Sequence, residues 1–199
     1  VEVPFERDGL PYVLIDTAGV RRKSKVNETV EKFSVVKTLQ AIDRANVVIG
    51  VLDAHDTVAE QDASLMGLVA KQGRDAIRDG LDLRFDFLRF AYVHFISARH
   101  GTGVGEMMES VLKAYRAAMK ELPTKDLTRA LEQALTIHQP PLVRGRRIKL
   151  RYAHQGGRNP PVVVIHGNQT QHVPDAYRRF LENHFRETFR LKGTPMRVE

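Results

Sequence analysis

The chain has 199 residues, a length that suits one large domain or two small ones. Apolar residues make up 42% of it and charged residues 28%, which is ordinary for a globular protein. It contains no cysteine, so disulfide frameworks and thiolate metal sites are excluded. Its longest apolar runs, residues 47–52 and 162–165, are strand-sized and too short to cross a membrane. The sequence begins in the middle of an apparent strand and does not start with a signal-peptide pattern, so we expect further chain upstream.

The net charge of +7 is unevenly distributed. Residues 1–123 carry 17 basic and 18 acidic side chains, whereas residues 124–199 carry 14 basic and 6 acidic ones. The whole positive excess therefore lies in the last third of the chain. This asymmetry favours a polyanionic partner for that part, although a basic surface can also serve solubility alone.

The first part of the chain predicts alternating strands and helices. An Asp8-Gly9 turn predicts a hairpin of strands 1–6 and 11–15. Periodicity then predicts a helix, a strand buried on both faces, and a second helix, over residues 30–44, 46–54 and 57–72. The residues after Arg74 continue as another helix where a parallel crossover requires a strand, and no strand is predicted there.

A strand over residues 91–96 and a helix over 105–120 follow. The apolar spacing of that helix predicts a core face formed by Met108, Val111, Leu112 and Tyr115. We place a domain boundary at Pro123, which gives an α/β domain over residues 1–122 and a small basic α+β domain over 123–199.

The second domain has its own pattern of elements. A helix over 124–138 and an aromatic-faced helix over 175–191 flank two strands, 146–153 and 161–166, which we expect to pair antiparallel. A short strand over 195–199 ends the chain. The first of these helices has Leu127, Ala130, Leu131, Ala134 and Leu135 at helical spacing. The aromatic side chains of the last helix also fall at helical spacing, so we assign them to the core.

Asp16-Thr17-Ala18-Gly19 follows a predicted strand and has the spacing of a phosphate-sensing loop. A carboxylate at such a position can hold Mg²⁺ through water, and a glycine lets a backbone N–H approach a γ-phosphate. Many GTPases place a glutamine next to orient the attacking water, but this chain has Val20. The alternative is an ordinary aspartate between a strand and a loop.

Ser97 and Ala98 end another predicted strand, where small residues let the backbone approach the edge of a planar base. A backbone N–H there can donate to the O6 acceptor of guanine. The alternative is a tight turn in which Gly101, Gly103 and Gly105 relieve crowding before a helix. No Gly-x-x-x-x-Gly-Lys-[Ser/Thr] phosphate loop and no Asn-Lys-x-Asp guanine motif occurs in the sequence.

Basic side chains crowd one strand of the second domain. The candidate RNA-binding residues are Arg144, Arg146, Arg147, Lys149 and Arg151. Arginine side chains fit phosphates and stack on bases, although only Tyr152 supplies an aromatic ring among them. The last helix adds a second predicted basic face, formed by Arg178, Arg179, Arg186 and Arg190. The alternative for both groups is a solvated surface.

Four segments together resemble one family. They are Asp16-Thr-Ala-Gly-Val-Arg-Arg-Lys, Glu31-Lys-Phe-Ser-Val-Val-Lys-Thr-Leu-Gln-Ala-Ile, Val93-His-Phe-Ile-Ser-Ala-Arg-His-Gly-Thr-Gly-Val-Gly, and Pro140-Pro-Leu-Val-Arg-Gly-Arg-Arg-Ile-Lys-Leu-Arg-Tyr-Ala-His. They resemble the Der (EngA) family of tandem GTPases over nearly the whole chain. The resemblance implies a P-loop-NTPase-like α/β domain, the family's second GTPase domain without its beginning and one internal segment, followed by its KH-like domain.

The resemblance also implies a function. It indicates a cytoplasmic factor that binds GTP or GDP with Mg²⁺, hydrolyses GTP and assists assembly of the large ribosomal subunit by contacting its RNA. Asp16 to Val20 would form the γ-phosphate and Mg²⁺ loop, and Ser97 with Ala98 the base-side loop. With Val20 in place, the attacking water would be positioned by a missing segment, a monovalent cation or a partner. We expect a monomer with no membrane or DNA partner.

Two other functions stay open. One is an RNA-binding module that carries a degenerate, non-catalytic α/β domain; the other is a protein-interaction scaffold. The last domain lacks the Gly-x-x-Gly loop by which KH modules usually clamp a nucleic-acid backbone, so its RNA contact need not follow that mode.

Overall fold

The computed structural model describes residues 2–16, 40–51, 90–143 and 145–199. The chain divides into two compact units, Val1–Leu83 and Arg84–Glu199, and each is described by itself. The predicted helix 57–72 and the helix after Arg74 lie outside the described residues.

The first unit contains the expected hairpin. Strands β1 (Glu2–Arg7) and β2 (Leu10–Ile15) pair antiparallel, with Phe5 opposite Tyr12. Asp8 and Gly9 connect them with φ angles of 54° and 73°. Two successive positive φ angles match the right-handed twist of the flanking strands, which is why this dipeptide makes the turn.

The predicted strand over 46–54 is not formed in the part that the structure describes. Residues 40–44 are helical, as expected for the end of the 30–44 helix, but residues 46–51 adopt no strand. Val48 and Val51 are 60% and 75% exposed rather than buried on both faces. A strand needs a neighbouring strand for its backbone hydrogen bonds, and none pairs with this run among the described residues.

The second unit begins with residues 90–96, which also lack the predicted strand pairing. Helix α1 (Val104–Ala118) follows a tight turn. Its buried positions are Ser110, Ala114 and Ala118, whereas Tyr115 is 39% exposed. The predicted core face was therefore wrong at Tyr115, because small residues at i, i+4 and i+8 provide the closest packing surface instead.

The rest of the second unit is a helix-and-sheet layer. Helices α2 (Thr124–Ile137) and α3 (Asp175–Thr188) lie on a sheet of β5 (Lys149–Gly157), β6 (Val162–Asn168) and β7 (Arg197–Val198). Strand β6 pairs antiparallel with β5, as predicted, and parallel with β7. Both helices follow a proline and carry an aspartate in the first turn, where it complements the helix dipole.

The core of this layer agrees with the sequence prediction. Leu127, Ala130, Leu131 and Ala134 of α2 are at most 2% exposed, and Tyr177, Leu181 and Phe185 of α3 are buried against them and the sheet. A second hairpin, β3 (Leu142–Val143) with β4 (Arg146–Arg147), was not predicted. Both its strands have only two residues, too short for a periodic signal. No helix within the described residues is long and apolar enough to span a bilayer.

Candidate functional site

Asp16 is placed at the end of a strand, as its motif predicts. It directly follows Ile15, the last residue of β2, and its side chain is exposed. One exposed carboxylate fits a water-mediated contact to Mg²⁺, which keeps much of its hydration shell. Thr17, Ala18, Gly19 and Val20 lie outside the described residues. No group of three or more metal-binding side chains occurs among the residues that are described.

Ser97 and Ala98 lie in a closed turn before α1. The backbone N–H of Ser97 donates to the carbonyl oxygen of Thr102 at 2.9 Å, and the His100 N–H donates to Ser97 Oγ at 3.3 Å. The Ser97 N–H is thus used within the turn. Ala98 is exposed, and its N–H has no hydrogen-bond partner in the part of the chain described. Of the two, Ala98 is the residue whose backbone can donate to a base edge.

Gly103 is required where this turn enters the helix. Its φ is +77°, and a Cβ built there would lie 2.6 Å from the carbonyl oxygen of Phe95. Any side chain would therefore push the turn away from the preceding segment. In the segment that precedes the turn, His94 Nε2 lies 2.9 Å from Ser110 Oγ, and this contact joins the segment to α1. The alternative interpretation, a turn whose glycines relieve crowding, holds at Gly103 but not at Gly101, which has open space around it, and it is compatible with a base-side role for Ala98.

The cationic strand is exposed where its side chains are described. Arg147 in β4, and Lys149 and Arg151 in β5, all face solvent. Arg146 belongs to β4, opposite Val143, and Arg144 lies outside the described residues. Arg151 occupies a register shift between Leu150 and Tyr152, so two consecutive residues face outward there.

The predicted basic face of α3 needs one correction. Arg178, Arg179 and Arg190 are exposed, but Arg186 is partly buried and its guanidinium carbon lies 5.5 Å from the Phe90 ring centre. Burial lowers the pKa of Arg186, against the opposing effect of Glu182 and Glu187. Arg186 therefore packs α3 against the chain before the Ser97 turn rather than extending a solvent-facing basic surface.

Sequence reasoning missed a stack of three rings on the sheet. The Tyr152 and His166 rings stack with centroids 4.4 Å apart, and His154 stacks on His166 at 5.0 Å. Beside His154 lies an open pocket of about 460 Å³ that also includes Gly156 and Arg158. The sequence predicted that the two strands pair but not their register, which sets Tyr152 opposite His166.

Gln155 joins the sheet to the connection between α1 and α2. Its Oε1 accepts a hydrogen bond from the Leu122 N–H at 3.0 Å, and its Nε2 donates to the Lys120 carbonyl at 3.0 Å. The Asn159 N–H adds a bond to the Ala118 carbonyl at 3.1 Å. These bonds fix α1, which follows the Ser97 turn, against the sheet that carries the cationic strand.

Comparison with known families matches both ends of the chain. Residues 1–78 match the family described as 50S ribosome-binding GTPase. Residues 121–199 match the KH-domain-like family of EngA bacterial GTPase enzymes, C-terminal.

Whole-chain relatives agree with these matches. The GTPase Der of Halorhodospira halophila is 59% identical over 100% of this chain, and that of Thioalkalivibrio sulfidiphilus is 56% identical over 99%. The GTPase Der of Vibrio vulnificus is 52% identical, also over 100% of the chain. The chain spans less than half the length of these relatives, 46%, 46% and 44%.

Proposed function

Because the chain belongs to the Der (EngA) family of GTPases, we propose that the protein carrying it binds and hydrolyses GTP. In this proposal, the nucleotide state controls contact with the RNA of the large ribosomal subunit during its assembly in the cytoplasm. The observation that carries the proposal is the match of the chain, at 59% identity over its full length, to a protein named as a GTPase. We assign the GTPase part to residues 1–122 and the RNA-facing part to 123–199.

Each candidate residue has a role in this scheme. Asp16 would hold a water of the Mg²⁺ shell, and Thr17 to Val20 would contact the γ-phosphate. Bound Mg²⁺ supplies charge neutralisation on the β- and γ-phosphates. Ala98 donates its backbone N–H to the base, within the turn that Ser97 closes. Val20 has no side-chain hydrogen-bonding group, so a monovalent cation or another protein group orients the attacking water.

A direct test compares two proteins from the same gene. The 199-residue chain lacks a phosphate-loop motif, so we expect no steady-state GTP hydrolysis from it. The longest protein that the gene encodes should hydrolyse GTP in the presence of Mg²⁺. Failure of that longer protein to bind and hydrolyse GTP would favour the second candidate, an RNA-binding module with a non-catalytic α/β domain.

The RNA part of the proposal has a separate test. Arg147→Glu with Lys149→Glu should weaken binding to ribosomal RNA and flatten its dependence on salt, because fewer phosphates are neutralised. Arg7→Glu with Arg44→Glu is a matched control, since it changes the net charge equally in the first unit, where both arginines sit in exposed ion pairs. Equal effects of the two double variants would show that only net charge matters and would remove the RNA-facing role from β4 and β5.

A further inference from the structure

Three aromatic rings form an ordered stack on the solvent side of the β5–β6 pair. Tyr152 and His166 are register partners whose ring planes differ by 12°, and the planes of His154 and His166 differ by 19°. His166 Nε2 and His154 Nδ1 lie 3.2 Å apart, within hydrogen-bonding distance. His166 is thus the central ring, and Tyr152 is an end ring that is 46% exposed.

The backbone forces these rings outward. Strand side chains alternate between faces, and Ala153, Val163 and Ile165 are buried on the helix side. Their neighbours along the strands, including all three ring residues, therefore take the opposite face. The irregularity at Arg151 adds one residue between buried Leu150 and buried Ala153, which brings Arg151 and Tyr152 to the surface side by side.

Helix α2 holds this arrangement in place. Thr128 Oγ1 donates to the Ala153 carbonyl at 3.2 Å and accepts from the Ala153 N–H at 3.3 Å. The strand is therefore fixed at the residue that separates Tyr152 from His154. A stack fixed before a ligand arrives loses less side-chain freedom on binding.

Cations dominate the sequence around the stack, although Glu121 lines the pocket beside His154 and pairs with Arg158 at 3.5 Å. Residues 133–174 contain six lysine and arginine residues and no aspartate or glutamate. Two of the six, Lys149 and Arg151, precede Tyr152 on the same strand and are exposed. An exposed aromatic ring beside exposed cations is the combination that binds single-stranded nucleic acid, because bases stack on rings while phosphates contact the cations.

We propose that this sheet face is a binding site for single-stranded RNA, in which an unpaired base stacks on Tyr152. His166 and His154 support the Tyr152 ring from behind, and Lys149 and Arg151 contact phosphates next to the stacked base. The inference rests on the proposed RNA contact of the second domain and adds the residues and the RNA conformation. It differs from the Gly-x-x-Gly mode of KH modules, for which the sequence has no motif.

The test measures binding of a labelled 12-nucleotide single-stranded RNA to the 199-residue chain by fluorescence anisotropy. Tyr152→Ala should weaken binding roughly five- to hundred-fold, and Tyr152→Phe should restore most of the affinity, since stacking needs the ring and not the hydroxyl. The slope of affinity against salt should stay unchanged in both, because no cation is removed. Duplex RNA of the same length should bind Tyr152→Ala and the wild type alike.

Tyr12→Ala is the matched control. Tyr12 also stacks on an aromatic partner, Phe5 at 5.1 Å, in a hairpin whose described residues carry more acidic than basic side chains. Its removal should leave the RNA affinity unchanged. Thermal melting of Tyr152→Ala should match that of Tyr152→Phe, which separates lost stacking from unfolding.

The outcomes distinguish this inference from the proposed function. If the wild type binds the RNA and Arg147→Glu with Lys149→Glu weakens it, but Tyr152→Ala does not, the stacking site is overturned and the RNA contact stands. If the wild type binds no RNA, both fall. If Tyr152→Ala keeps full RNA affinity but loses binding to RNA-free ribosomal protein, the face belongs to a protein partner and the inference is also overturned.

Discussion

The backbone N–H of Gly193 donates a hydrogen bond to the carbonyl oxygen of Phe90 across 2.7 Å. Gly193 follows α3, whereas Phe90 begins the segment that leads to Ser97 and Ala98. The Lys192 ammonium adds a cation–π contact, 5.0 Å from the centre of the Tyr92 ring. The turn after α3 therefore holds the segment that ends in the proposed base-side turn.

Gly193→Ala tests how closely the turn after α3 packs against Tyr92 and α1. At a φ of +87°, a Cβ would lie 2.7 Å from both Tyr92 Cε2 and Ala114 Cβ, so strain and overpacking should together lower the unfolding free energy by about 2–4 kcal/mol. Gly145→Ala is the control, because Gly145 has a similar φ of +74° and open space around it. It should lose only about 1 kcal/mol in urea unfolding. Equal losses would show that the contacts with Tyr92 and Ala114 have no effect on stability.

Thr128→Val tests the bond that fixes β5. Valine keeps the shape of threonine but leaves the Ala153 N–H and carbonyl without their partner, so we expect a loss of about 1–3 kcal/mol in unfolding free energy. Thr136→Val removes an exposed hydroxyl that bonds within its own helix, and should stay within about 0.5 kcal/mol of the wild type. A Thr128→Val variant as stable as Thr136→Val would contradict this role.

Tyr177 should make stability depend on pH in alkaline solution. Burial raises the pKa of Tyr177 to about 12, and its hydroxyl donates to the His138 carbonyl at 2.6 Å. The native state keeps its proton while the unfolded chain loses it above pH 10, so the stabilisation is complete below pH 10 and declines towards pH 12. The decline should reach at most about 3 kcal/mol. Urea unfolding of Tyr177→Phe between pH 9 and 11.5 should lack this component; parallel curves for the two proteins would refute it.

Asp16→Asn tests the Mg²⁺ role in the longest protein that the gene encodes. A carboxylate that holds a metal-bound water should, on neutralisation, reduce GTP hydrolysis roughly 10- to 100-fold and raise the Mg²⁺ concentration needed. Asp8→Asn is the control, since Asp8 is an exposed acid in the turn of the same hairpin and asparagine tolerates its positive φ. Activity of Asp16→Asn equal to that of Asp8→Asn would remove Asp16 from the metal site.

Local sequence patterns predicted the structure correctly where it depends on the residues of a single turn or helix. Asp8-Gly9 fixed the first turn because both residues accept a positive φ, and the spacing of Leu127 to Ala134 identified the buried side of α2. Sequence patterns were less informative where packing against other elements determines which side of a helix is buried. Tyr115 fits the apolar stripe of α1, but the small side chains of Ser110 and Ala114 allow closer contact on another side of the helix.

Local sequence patterns could not predict the stack of Tyr152, His166 and His154. Tyr152 and His166 are far apart in sequence, and their contact depends on the β5–β6 register and on the extra residue at Arg151. Neither is visible in local composition. The strands expected over 46–54 and 91–96 are not formed in the described residues for a related reason, because an apolar run becomes a strand only when another strand pairs with it. The loop from Thr17 to Val20 lies outside the described residues, so its role stays a prediction.

The most direct measurement of the central claim is the affinity of the longest gene product for large-subunit ribosomal RNA, with a non-hydrolysable GTP analogue and with GDP. If nucleotide state controls RNA contact, the two affinities should differ roughly fivefold or more, as is typical of coupled sites. By reciprocity, the RNA should change the affinity for one nucleotide by the same factor. Equal RNA affinities in the two nucleotide states would contradict the proposed control of RNA binding by GTP.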